Sequence, residues 1–153
     1  MSKYDELFTP FYEKIRRFEA KQAEAGSLVE AIRSGFSQYL ETDSETIGKD
    51  LVLVTEKSIW IYAFYVISPD DDYKLEVDLH VWRDEQGPRW SVSFPCLKEV
   101  GGAHAGDPRV FHFSSPPEPN ELSILFNVLY QDVFHAWHER EGLRLMSMKN
   151  NPT

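Results

Sequence analysis

Two periodicities divide this chain: up to residue 40 apolar side chains recur every three or four positions, and from residue 51 they alternate. Tyr4, Leu7, Phe8, Phe11, Ile15 and Phe18 follow the first spacing, which predicts an amphipathic helix with one apolar stripe. Pro10 falls inside that pattern, so the expectation is a kink or a helix restarting there with Thr9 as cap. A stop is expected near Ala25-Gly26. Ser27 and Glu30 then have the spacing of a capping box, and Leu28, Ile32, Phe36, Tyr39 and Leu40 supply the stripe of a second helix.

The alternating part predicts strands over 51–55, 59–67, 73–83, 89–94 and 109–113, separated by Lys-Ser, Pro-Asp-Asp-Asp, Gln-Gly-Pro and Gly-Asp-Pro turn chemistry. The run Ser115-Pro116-Pro117-Glu118-Pro119 breaks the sheet, and Asn120 can cap a long final helix. Leu122, Leu125, Phe126, Leu129, Val133 and Trp137 form its stripe, with Gly142 as the stop. The fold class expected is α+β: a four- to five-stranded antiparallel meander with two N-terminal helices and one long C-terminal helix, in the order ααβββββα. Residues 1–145 are expected to form one domain, and 146–153 a loose tail.

Residues directly opposite in an antiparallel pair share a face, so turn lengths predict the two sheet surfaces. A loop over 68–72 sets Ile61, Ala63 and Tyr65 opposite Leu79, Val77 and Leu75. A four-residue turn over 84–87 sets Trp90, Val92 and Phe94 opposite Val81, Leu79 and Val77. That apolar face is the expected core. The second face then carries Trp60, Tyr62 and Phe64 beside Glu76, Asp78 and His80, with Ser91 and Ser93 on the next strand. Its central strand is apolar on both faces, so it needs partial cover from a helix, a second subunit or a ligand.

Charge adds a direction to this picture. The chain has net charge −9, and residues 41–85 hold twelve acids against four bases, a balance of −8. Such a surface repels phosphate backbones and anionic lipid and attracts basic partners, so neither nucleic-acid nor membrane binding is expected. The longest apolar run, 59–67, is too short to cross a membrane as a helix. With acids at the start instead of a basic and apolar leader, and Cys96 as the sole cysteine, the expected compartment is the reducing cytoplasm. Cys96 itself reads as a small buried apolar residue.

Candidate chemistry is sparse. Asp78, His80 and Ser91 are residue types suited to an acid–base–nucleophile relay, but flat strand positions lack the strained turn and oxyanion donors of a catalytic serine. Glu76, Asp78 and His80 alternate along one strand beside His112 without a metal-binding motif, so neither a metal nor a cofactor is expected. Asp132, His135 and Glu139 share a helix flank that His138 leaves, which differs from a paired-histidine zinc motif. The glycine-rich stretch 101–108 around His104 reads as a connector, and Asp70, Asp71 and Asp72 as a hydrated turn.

The function expected from these observations is a small acidic, non-catalytic protein-binding module of an immunity, inhibitor, chaperone or adaptor kind. Trp60, Tyr62, Phe64, Glu76, Asp78 and His80, with Asp70, Asp71 and Asp72 alongside, form its expected binding surface, and a basic or aromatic-rich protein its partner. Two alternatives stand beside it. One is an enzyme or small-ligand binder on the Asp78, His80 and Ser91 face or at the His104 loop. The other is a homodimer or larger homo-oligomer that buries the aromatic strand face.

Overall fold

The computed structural model describes residues 2–84, 87, 89–95, 99–100, 103–104 and 107–135. Its first element is one unbroken helix, α1 (Lys3–Tyr39), where two helices were expected. Ser2 caps it: the Ser2 hydroxyl accepts from the Asp5 N–H at 3.1 Å, and the Asp5 carboxylate accepts from the Ser2 N–H at 3.3 Å. Pro10 lies inside the helix, so Thr9 does not cap; its hydroxyl donates back to the Asp5 carbonyl at 2.8 Å. Nor do Ser27 and Glu30 start a new helix. A mid-helix glycine such as Gly26 costs about 1 kcal/mol, far less than the fully buried Ala25, Val29, Ile32 and Phe36 gain on the sheet. The helix ends where Glu41 enters the left-handed region at φ 56°.

A 3₁₀ turn (Ser44–Thr46) leads into β1 (Ile47–Val54), followed by β2 (Trp60–Ile67), β3 (Lys74–Arg83) and β4 (Trp90–Phe94). The short strands β5 (Glu99–Val100) and β6 (Ala103–His104) pair as a separate hairpin before β7 (Arg109–Phe113). The main sheet has the order β1-β2-β3-β4-β7 and is antiparallel throughout, which makes the fold α+β with a five-stranded antiparallel sheet. The last helix among the described residues, α2 (Pro119–Val128), starts one residue before the expected cap, Asn120, and continues as a π-helical turn (Leu129–Phe134). Trp137, Gly142 and the expected tail lie outside the described residues.

One face of the sheet holds the core. Phe36 of α1 packs on Phe64 of β2 and on Phe126 of α2, with ring centroids 6.0 and 5.6 Å apart, so both helices cover the same side. Gly35 lets them approach: a Cβ there would lie 2.6 Å from the Phe126 ring. Arg33 clamps α1 to the sheet, donating to both Glu30 oxygens at 2.9 and 2.6 Å and to the Ser44 and Ile47 carbonyls at 2.7 and 3.2 Å. Lys49 of β1 joins Glu30 at 3.3 Å. The Arg33 guanidinium, reinforced by Lys49, holds the Glu30 carboxyl down at about 2.

The register corrects the expected faces on one strand. Trp60, Tyr62 and Phe64 lie opposite Val81, Leu79 and Val77, and all six are buried. The turn before β3 is one residue longer than expected. The Ser68 N–H donates to the Tyr73 carbonyl at 2.9 Å, the Ser68 hydroxyl donates to Asp70 at 2.5 Å, and Asp71 takes φ 63°. A one-residue slip exchanges every side chain between faces. On β4 the pairing is displaced by two, Arg83 opposite Trp90 and Val81 opposite Val92, so Trp90, Val92 and Phe94 stay on the core side.

Candidate functional site

The slip changes the composition of the open face. Glu76, Asp78 and His80 point away from the helices as expected, but their neighbours on β2 are Tyr65, Ala63 and Ile61. Trp60, Tyr62 and Phe64, expected beside them, lie in the core on the opposite side and are unavailable to a partner. Burial raises the Tyr62 phenol above its ordinary value, as befits a ring under α1.

From β1 to β3 the open face therefore mixes apolar and acidic groups. Leu53 of β1, next to Ile61, is exposed; Ile61, Tyr65, His80 and Trp82 are half-buried; Glu76 and Asp78 are exposed. Among the described residues, no helix packs on this side. The Tyr65 ring lies across Gly48 of β1, where a Cβ would come within 2.0 Å of it. Lys74 sits 4.7 Å above the same ring and 3.6 Å from Glu76. Tyr65 is thus an aromatic platform laid across β1, with Lys74 over it and Glu76 opposite it on β3. Asp70 is occupied in turn hydrogen bonds, accepting from the Ser68 hydroxyl and from the Asp72 N–H at 3.3 Å, while Asp71 and Asp72 are exposed at the end of the same hairpin.

The relay considered from sequence does not assemble. Ser91 lies opposite Trp82 and His112, and its hydroxyl donates to Asp84 Oδ1 at 2.8 Å and sits 2.8 Å from His112 Nδ1. Asp78 and His80 take no part. Both Asp84 and His112 bond the serine oxygen directly, whereas a relay needs carboxylate, imidazole and hydroxyl in series. Ser91 is fully buried, and its proton is committed to a carboxylate. The arrangement ties three chain segments together; it does not present a nucleophile. Asp84 was legible as a turn residue, but its pairing with Ser91 depends on the two-residue displacement of β4.

Among the described residues, no group of three or more His, Cys, Asp or Glu side chains is placed to hold a metal ion. Asp132 forms an ion pair with Arg109, His135 is exposed, and His138 and Glu139 lie outside the described residues, as does the side chain of His104. A hollow of about 1070 Å³ lies where the β1–β2 and β3–β4 turns meet α1, bordered by Lys21, Lys57, His80, Trp82, Arg83 and Asp84. It adjoins the open face through His80 and Trp82. No described helix is long and apolar enough to cross a membrane. Comparison with protein-family models, curated proteins and solved structures finds no match for the chain.

Proposed function

We propose that this chain is a non-catalytic protein-binding module whose partner docks on the open face between β1 and β3. The observation that carries the reading is the juxtaposition there of Tyr65, Ile61 and Trp82 with exposed Glu76 and Asp78, on a sheet side without a described helix over it. Interfaces draw affinity from partly desolvated aromatic anchors and draw rate and selectivity from complementary charge. The partner is basic, because Glu76, Asp78 and the acidic 68–73 turn project a field of one sign that a basic surface descends. Inhibitor-like or adaptor-like action, by occupying that surface, needs no chemistry from the chain. The enzyme reading is disfavoured because the serine with an adjacent base is closed to substrate.

The test is capture from host lysate on immobilised wild type and on the double variant Glu76→Lys/Asp78→Lys. Basic proteins should be retained by the wild type, released by about 0.5 M salt, and retained about tenfold less by the variant. A captured set indifferent to both salt and charge reversal rules out this face.

A further inference from the structure

We infer that α1 projects a self-association arm: residues 3–18 pack their apolar stripe against the same stripe of a second copy of this chain, the two arms antiparallel. The arm reaches beyond the domain. Every side chain over 2–24 is exposed except Phe8 and Ile15, which are half-buried. Tyr4, Leu7, Phe11 and Tyr12 show 71%, 70%, 53% and 54% of their surface. The arm's rings pack on one another at a tilt, Tyr4 on Phe8 at 4.9 Å and Phe11 on Tyr12 at 5.8 Å; Phe18, stacked 5.9 Å from Trp60, marks where the helix reaches the sheet.

The stripe is a coiled-coil seam. Tyr4, Phe8, Phe11, Ile15 and Phe18 alternate steps of four and three, and the same alternation continues through Gln22 to Ala25, Val29, Ile32 and Phe36. The second half of that seam is buried on the sheet; in the first half Tyr4 and Phe11 are exposed, and Phe8 and Ile15 are half-buried with no other described element of the fold over them. This continuity selects the orientation of a second copy. A parallel helix on the first half would run past Phe18 into the position of the sheet. An antiparallel one instead reaches its capped start near Ser2 at that point, and its own sheet lies beyond Tyr4 of the first copy. A parallel pair would match Lys14 with Glu19 of the second copy, but a surface ion pair is too weak to displace a packed sheet.

In the antiparallel alignment Phe8 meets Phe11 and Tyr4 meets Ile15 of the second copy, and the flanks bring Asp5 beside Tyr12 and Leu7 beside Lys14, with no like charges opposed. Charge also favours arm over body. Residues 1–24 hold five acids and five bases, so the whole −9 resides in the remainder, which antiparallel arms keep at opposite ends. With aromatics burying roughly 150–250 Å² each, the exposed fractions of Tyr4, Phe11 and Tyr12, together with Leu7, leave on the order of 450 Å² per copy. Pairing can then bury up to about 900 Å², near the roughly 1,000 Å² that marks a specific interface.

Sedimentation of the full chain should give twice the chain mass at tens of micromolar, and Phe8→Glu or Phe11→Glu should give the single mass with unchanged circular dichroism and urea midpoint. On a Cys96→Ser background, the double variant Tyr4→Cys/Ile15→Cys should oxidise to a covalent dimer, whereas Tyr4→Cys alone should not. A wild type of single mass, a dimer that survives both glutamates, or efficient crosslinking of Tyr4→Cys alone overturns the inference. None of these outcomes depends on the open sheet face.

Discussion

Replacing Phe64 by alanine and, separately, its neighbour Tyr65 by alanine asks which face of β2 is the core. Phe64 is 0% exposed, packed on Phe36, and belongs to the cluster shared by both helices and the sheet. Removing a ring that buries roughly 150–250 Å² at about 25 cal/mol per Å² forfeits about 4 to 6 kcal/mol of transfer free energy, and measured Phe→Ala losses in cores run about 3 to 5. Tyr65 is half-buried, with its ring over Gly48 and Lys74 above it, so its truncation should cost about 1 kcal/mol. Urea unfolding followed by tryptophan fluorescence resolves the two. At a slope of about 2 kcal/mol per M, Phe64→Ala should lower the midpoint by about 2 M and Tyr65→Ala by about 0.5 M. A Tyr65→Ala loss equal to or larger than that of Phe64→Ala would refute the register and, with it, the composition of the open face.

Two further predictions concern the frame around that face. The folded Glu30 carboxyl sits at about 2 against an ordinary 4.5, so its pairing with Arg33 and Lys49 stabilises the fold fully above about pH 4.5 and is lost as pH falls toward 2. Urea midpoints of wild type should therefore fall through that window more steeply than those of Glu30→Gln, and parallel curves would contradict the clamp. Gly48→Ala should cost about 1 to 3 kcal/mol by forcing the Tyr65 ring away, and adding Tyr65→Ala should recover most of that loss in a double-mutant cycle. Strict additivity would mean that the ring does not lie there.

Residue pattern reveals β3 and β4 correctly because each alternates cleanly: Val77, Leu79 and Val81 against Glu76, Asp78 and His80 leaves one choice of inner face. Strand β2 is apolar at every position, so alternation cannot choose, and the expected face rested on the length of the 68–72 turn. Two quantities outside that pattern decide it. Ser68 and Asp70 build a longer turn, and Trp60, Tyr62 and Phe64 bury far more area than Ile61, Ala63 and Tyr65. The helix break failed for a related reason. Gly26 and the Ser27–Glu30 spacing are local signals of about 1 kcal/mol or a little more, and a continuous seam from Ala25 to Phe36 against the sheet outweighs them. Pro10, at about 3 kcal/mol, lies outside that seam, and among the described residues no buried contact beside it explains why the helix runs through it. Of the candidate site, its acidic half was legible; its aromatic half moved with the strand. Ser91 drew notice for its residue type, but its partners follow from a register set by long-range pairing.

The most direct test of the docking surface is hydroxyl-radical footprinting of the chain, free and with a partner captured by the wild type. In the free chain Tyr65 and Trp82 should be oxidised, while Trp60 and Phe64, both fully buried, should not. Bound partner should protect Tyr65 and Trp82 and leave the reactivity of Tyr4 and Phe11 on the arm unchanged. Strong oxidation of Trp60 in the free chain, or a bound partner that leaves Tyr65 and Trp82 as reactive as before, would contradict the account.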